Sequence, residues 1–133
     1  MRLRRAGPYQ VQAAVAALHA EAATPDETDW PQIVALYDRL ATLAPSPVVE
    51  LNRAVAVAMA FGPERGLGMI DRDEVSGSLA GYRWLHSARA DLLRRLRRFE
   101  EAAEAYRRAL ELSDNAAERA FLTRRLAEVE AQR

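Results

Sequence analysis

Two residue types that carry much of protein chemistry, cysteine and lysine, are missing from this chain of 133 residues. It has no cysteine, which excludes a disulfide framework, a thiolate metal site and a cysteine nucleophile. It has no lysine, so all 19 basic residues are arginine, and they are balanced by 19 acidic residues. A net charge of zero argues against a domain whose main task is to bind a phosphate backbone.

A long apolar run is also missing. The most apolar stretch, 48–61, is interrupted by Arg53 and is shorter than the roughly 20 residues that a membrane span needs. The basic start, 1–5, is not followed by the apolar core of a signal peptide. We therefore expect a cytoplasmic protein with no membrane partner. The length and an apolar fraction of 50% suit one globular domain over residues 1–133.

What is present is helical periodicity along the chain. From Ile33 to Leu40, apolar residues recur at i, i+3, i+4 and i+7, which is the pattern of one buried helix face. No segment shows the alternation of a strand. We predict about seven helices and an irregular, mobile loop at 73–78. The predicted helices cover approximately residues 8–22, 30–44, 47–61, 64–72, 79–96, 99–112 and 115–129.

Capping residues mark the starts of these helices. Asp29 precedes a Trp-Pro pair, and Ser46 precedes Pro47, which is the order of an N-cap and a first helical turn. Asp114 or Asn115 is in place to cap the last helix. Local sequence therefore predicts both the helices and the short turns between them.

The helices repeat with a spacing near 34–35 residues. Ala102, Tyr106 and Ala109 stand at the small, aromatic and small positions of a second repeat helix, and this pattern resembles the tetratricopeptide repeat. Arg97 stands where that repeat has its turn glycine, and Leu51 and His86 stand where it has tryptophan. The resemblance implies an all-α, tetratricopeptide-like right-handed stack of helical hairpins whose terminal helix acts as a cap.

An ordered series of motifs resembles a more specific family. The series includes Gly-Pro-Tyr-Gln at 7–10, Pro-Ser-Pro-Val-Val at 45–49, Leu-Asn-Arg-Ala-Val-Ala at 51–56 and His-Ser-Ala-Arg-Ala-Asp-Leu-Leu-Arg-Arg at 86–95. It is similar to the C-terminal extension of a group of extracytoplasmic-function sigma factors of RNA polymerase. The resemblance runs from about Ala6 to Val129, and the stretch 69–77 departs from the family pattern. It implies that the N-terminal sigma domains are absent from this chain, which would then be a fragment.

Nothing in the sequence has the pattern of a catalytic or metal centre. His19 and His86 are the only histidines, and no His-Glu-x-x-His spacing accompanies them. There is no Gly-x-Ser-x-Gly elbow and no phosphate-binding loop with lysine. We expect a protein that is not an enzyme and that holds neither a metal nor a cofactor, with both histidines in structural roles.

The repeat register predicts a partner groove on the first helix of each pair. Asn52 and Arg53 interrupt an apolar helix, so they face either this groove or a polar network with the neighbouring helix. Trp84 is assigned to the groove, although a lone tryptophan on a helix is more often in the core. The predicted groove residues are Asn52, Arg53, Ala56, Met59, Trp84, Ser87, Asp91, Arg94 and Arg95.

Six arginines between Arg83 and Arg98, against one acid, form the most basic stretch. This stretch is interpreted as a solvated face neutralised by nearby acids, with contact to nucleic acid as the alternative. The resemblance implies a non-catalytic regulatory domain that binds its own sigma domains or RNA polymerase and tunes transcription initiation, with no direct contact to nucleic acid. The alternative function is a free-standing adaptor that binds a peptide or protein in its concave groove.

Overall fold

A computed structural model of the chain describes residues 29–133. Within this range there are seven helices and no strand. None of these helices combines the length and the apolar character needed to cross a bilayer. The helix predicted near residues 8–22 lies outside the described residues. The helices are α1 (Trp30–Leu43), α2 (Pro47–Phe61), α3 (Pro63–Ile70), α4 (Asp73–Ser76), α5 (Arg83–Arg95), α6 (Phe99–Leu112) and α7 (Ala116–Ala131).

The predicted helix starts are confirmed by their caps. The side chain of Asp29 accepts a hydrogen bond from the backbone N–H of Gln32 at 3.1 Å, and Ser46 does the same for Val49 at 3.1 Å. Of the two candidates for the last helix, Asn115 is the cap. These bonds satisfy backbone donors that the first turn of a helix leaves without a partner.

The stretch 73–78 is more ordered than the sequence predicts. Residues 73–76 form the short helix α4, and the backbone N–H of Leu79 donates to the carbonyl of Val75. Val75 is buried in the core, which holds this segment against the stack. Helix α5 begins at Arg83 rather than near residue 79, because residues 77–81 remain in turns.

Two apolar clusters share helix α2. Its residues Val49 and Val57 belong to a cluster with α1, whereas Leu51, Ala54 and Ala58 belong to a larger cluster that extends through α3 to α7. Each of the longer helices packs mainly on its neighbours along the chain. This serial packing is characteristic of repeat stacks, and the chain is an all-α, tetratricopeptide-like helical stack.

A glycine allows α2 and α3 to cross at close range. A β-carbon on Gly66 would lie 2.4 Å from the β-carbon of Ala58 and 2.6 Å from the carbonyl oxygen of Ala54. The small residues on both helices therefore set the distance between them. Gly68, on the same helix, has open space where its side chain would be.

Helix α5 ends in a Schellman motif centred on Arg97. The backbone N–H of Arg98 donates to the carbonyl of Leu93, and the N–H of Arg97 donates to that of Arg94. Arg97 has φ of 62°, the left-handed conformation for which this motif normally uses glycine. Its guanidinium lies over the ring of Phe99, 5.4 Å from the centroid.

Replacing Arg97 with glycine is expected to raise the free energy of unfolding by about 0.5–1 kcal/mol. The left-handed conformation lowers the stability of the chain by about 1–2 kcal/mol when the residue has a β-carbon. The contact of Arg97 with the Phe99 ring offsets about 0.5–1 kcal/mol of that, and glycine removes both effects. Urea denaturation of the purified chain measures the difference. Arg97→Ala is the control, since it loses the ring contact but keeps the unfavourable conformation, and it should be less stable than both. A glycine variant no more stable than the alanine variant would contradict this explanation.

Candidate functional site

A concave groove of about 460 Å³ lies along one side of the stack. We call it the groove throughout. Its walls come from α2, α5 and α7, which are the first helices of successive pairs, and α6 contributes to the floor. The described residues that line it are Leu51, Asn52, Val55, Tyr82, Trp84, Ser87, Ala88, Asp91, Tyr106, Glu118, Phe121 and Leu122.

Two aromatic rings on different helices are exposed at the groove. Trp84 on α5 and Phe121 on α7 each keep 45% of their surface accessible. An arginine covers part of each ring: Arg83 lies 5.2 Å from the centroid of Trp84, and Arg125 lies 5.3 Å from that of Phe121. Such rings provide large apolar contact area at little cost in conformational entropy.

Two carboxylates line the groove, and both are held by arginines. Asp91 accepts from Arg94 at 2.6 Å and from Arg95 at 3.0 Å. Glu118 accepts from Nε of Arg83, with its Oε1 at 3.0 Å. The arginines fix the orientation of these carboxylates and are not themselves among the lining residues.

Tyr106 forms the floor of the groove and is also part of the core. Only 2% of its surface is exposed, and the Arg94 side chain lies close enough to its hydroxyl to influence the pKa. Burial raises the pKa of Tyr106 above its ordinary value, so the phenol stays protonated at neutral pH. Arg94 therefore connects the floor of the groove to Asp91 on its wall.

The predicted groove residues divide between this site and other surfaces. Asn52, Trp84, Ser87 and Asp91 all line the groove, and they come together from α2 and α5. The exposure of Trp84 shows that it is not a core residue. Ser87 is oriented by a hydrogen bond from its hydroxyl to the carbonyl of Trp84 at 3.3 Å.

The other predicted residues of α2 lie elsewhere. Arg53 makes an ion pair with Asp38 of α1 and a longer one with Glu50 of its own helix. Of the two expectations for Arg53, it therefore forms the polar network with the neighbouring helix and does not face the groove. The hydrogen bond to Asp38 is the largest of the effects that raise the pKa of Arg53. Ala56 is buried against α1, because its side of α2 carries the smaller apolar cluster.

Met59, Arg94 and Arg95 border the groove without lining it. Arg95 lies between the two walls, since its guanidinium reaches the sulfur of Met59 at 3.3 Å as well as Asp91. Arg94 is turned towards Tyr106. Of these three, Arg94 and Arg95 hold the lining residue Asp91.

The sequence-based prediction missed the wall that α7 contributes. Glu118, Phe121 and Leu122 follow Trp84, Ser87 and Ala88 by one repeat period, which is near 34 residues. This spacing could have identified them. Because the last helix was interpreted only as a cap, no groove residue was assigned to it.

The described residues hold no group of three or more histidine, aspartate or glutamate side chains that could bind a metal ion. His86 hydrogen-bonds through Nε2 to the carbonyl of Ala80 at 2.7 Å, and this bond fixes the turn before α5 to the helix. His19 lies outside the described residues.

The basic stretch from Arg83 to Arg98 is largely neutralised within the fold. Besides the pairs already described, Arg89 pairs with Asp71 at 2.8 Å and Arg98 with Glu101 at 2.7 Å. Of the nearby acids that follow this stretch in the sequence, Glu101 pairs with it, whereas Glu100 pairs with Arg133. Arg83 and Arg89 pair with acids that are distant in sequence, Glu118 and Asp71, and the other pairs are local, which favours the interpretation as a compensated face.

Comparison with known proteins places part of the chain in a repeat class. Residues 84–116, which cover α5, α6 and the start of α7, match the tetratricopeptide repeat. Repeats of this class build concave surfaces that bind other proteins. The whole chain is also similar to an uncharacterised protein of Rhizobium meliloti (strain 1021), with 48% identity over 132 residues. That alignment covers 99% of this chain, and the chain spans about a third (31%) of the length of that relative.

Proposed function

We propose that this chain is a non-catalytic protein-interaction module, which binds a protein segment in the groove and regulates a sigma factor of RNA polymerase. The observation that carries the interaction role is the groove itself. Three first helices converge on an apolar concavity with two exposed aromatic rings and a few oriented polar groups. Surfaces of this composition are typical of binding sites.

The sigma-factor part of the proposal depends on the motif series from residue 7 to residue 95 and its resemblance to the C-terminal extension of that family. The similarity to a relative of about three times this length supports a role for the stretch as part of a larger protein. The partner would then be the sigma domains of the same protein or the polymerase that they bind.

The experiment adds the purified chain to a sigma factor of this family from which the corresponding region has been removed. Complex formation is measured by calorimetry, and transcription is measured from a promoter that the factor recognises. We expect binding and a change in transcription. A Trp84→Ala, Phe121→Ala double variant should bind at least about tenfold more weakly, since aromatic anchors often contribute about 2 kcal/mol or more each.

Phe61→Ala provides the matched control. Phe61 is another exposed aromatic side chain with an arginine, Arg65, over its ring, but it lies outside the groove. The Phe61→Ala variant should bind the truncated sigma factor with the same affinity as the unmodified chain. If the chain contacts neither the sigma domains nor polymerase, the sigma-factor role is wrong. Binding of an unrelated protein through Trp84 and Phe121 would then establish the free-standing adaptor, which the groove fits equally well.

A further inference from the structure

The charged groups that face the groove have one sign. Among its described lining residues, Asp91 on α5 and Glu118 on α7 are charged, and no arginine or histidine is present. Their arginine partners approach from outside the lining. A segment lying in the groove would therefore meet carboxylate oxygens among the lining groups, while the guanidinium groups of Arg83 and Arg125 lie over part of the two aromatic rings.

Both carboxylates keep the capacity to accept further hydrogen bonds. An ionised carboxylate offers about four acceptor positions, and Asp91 uses two of them, one on each oxygen. Glu118 meets a single guanidinium nitrogen, Nε of Arg83, which lies 3.0 Å from Oε1 and 3.2 Å from Oε2. Asp91 is the more accessible of the two, with 35% of its side chain exposed against 14% for Glu118.

Each carboxylate shares its helix with one of the exposed aromatic rings, and Arg83 contacts both the Trp84 ring and Glu118. Phe121 is one helical turn from Glu118, while Trp84 stands two turns before Asp91 on the same helix. Both rings already hold an arginine over part of their surface. Exposed aromatic surface near an acid favours a side chain that combines an aliphatic stem with a cationic end.

We propose that the groove binds a partner segment in which a basic side chain stands beside an apolar one, with the cation at Asp91 and Glu118. This inference depends on the proposed function, since it names the chemistry of the segment that the groove takes. The apolar side chain packs between Trp84 and Phe121. The basic side chain, arginine or lysine, lays its stem on this surface and donates to the free positions of the two carboxylates.

An acidic segment is disfavoured on the same grounds. Its carboxylates would lie against Asp91 and Glu118 with water removed from between them, and like charges in that arrangement repel. A segment with only neutral side chains can fill the apolar surface but forms no charge-assisted bond there. The order of affinity is therefore basic, then neutral, then acidic.

Three short synthetic peptides test this order. They share an amphipathic helical sequence with leucine anchors and differ only at two flanking positions, which carry arginine, glutamine or glutamate. In a Trp30→Phe background, Trp84 is the single tryptophan, so its fluorescence reports occupation of the groove. We expect the arginine peptide to bind about tenfold more tightly than the glutamine peptide, because a charge-assisted hydrogen bond is stronger than a neutral one. The glutamate peptide should bind more weakly still.

Substitution of each carboxylate tests whether Asp91 and Glu118 cause the preference for the arginine peptide. Asp91→Asn should reduce the advantage of the arginine peptide over the glutamine peptide to less than about threefold, and Glu118→Gln should reduce it in the same direction. Glu111→Gln is the control, because Glu111 is an exposed acid paired with Arg108 away from the groove. Circular dichroism verifies that each variant is folded.

The outcomes separate this inference from the function on which it depends. If the glutamine or glutamate peptide changes Trp84 fluorescence at the same or lower concentration than the arginine peptide, the basic preference is wrong and binding in the groove stands. If none of the peptides changes it at millimolar concentration, this inference is overturned. The assay with the truncated sigma factor then decides the proposed function separately.

Discussion

Replacement of Tyr106 by alanine is expected to lower the free energy of unfolding by about 3–5 kcal/mol, which is the range for removal of a large buried aromatic side chain. Tyr106 is the largest of the fully buried side chains among the described residues. It lies in the larger apolar cluster and also forms the floor of the groove. Its loss would leave a cavity between the helices and make the groove deeper. Urea denaturation followed by circular dichroism measures the change.

Tyr106→Phe separates the ring from the hydroxyl. The ring still fills the core, and only the interaction of the hydroxyl with the nearby Arg94 side chain is lost, so we expect a smaller decrease of less than about 1.5 kcal/mol. If the alanine and phenylalanine variants lose the same stability, the packing of the ring is not what holds this part of the stack together.

Gly66→Ala should be the most disruptive substitution of a small residue. The new β-carbon would meet the Ala58 side chain and the Ala54 carbonyl at distances that no packed structure tolerates. Helices α2 and α3 must then move apart, and overpacking of this kind typically costs about 1–3 kcal/mol, occasionally more. The better helix propensity of alanine offsets up to about 1 kcal/mol of that loss. We expect a net decrease of about 2 kcal/mol in the free energy of unfolding.

Gly68→Ala is the matched control for this substitution. Gly68 lies in the same helix, two residues further on, and no atom lies within 4 Å of the place that a β-carbon would take there. Here the gain in helix propensity acts alone, so we expect an increase of about 0.5–1 kcal/mol. The two glycines should thus shift the urea midpoint in opposite directions. A Gly66 variant that is as stable as the Gly68 variant would show that α2 and α3 are not in close contact.

The elements that could be predicted from the sequence are those whose cause is local. The caps at Asp29 and Ser46 need only the residues of one helical turn, and the apolar face of α1 follows from its own spacing. The spacing near 34–35 residues depended on comparison within the chain, and it correctly indicated a repeat stack.

Features that depend on contacts between distant segments could not be predicted in the same way. Helix α4 is fixed by burial of Val75 among other helices, although its own residues have the pattern of a loop. Arg53 faces α1 because Asp38 is there, a partner 15 positions away in sequence. The groove could be predicted in part, since Trp84 and Asp91 follow the repeat register. Its α7 wall was missed because that helix was treated as the end of the stack.

The two faces of α2 have a consequence for the order in which the stack opens. Among the residues that the structure describes, the cluster between α1 and α2 contains fewer buried residues than the one that α2 shares with the following helices. Opening that detaches α1 alone would leave the larger cluster in place, so amide hydrogens in α1 should exchange with solvent faster than those in α5 and α6. Because the groove has no lining residue from α1, that opening leaves it intact, so a segment bound there would slow exchange in α5 and α6 but not in α1.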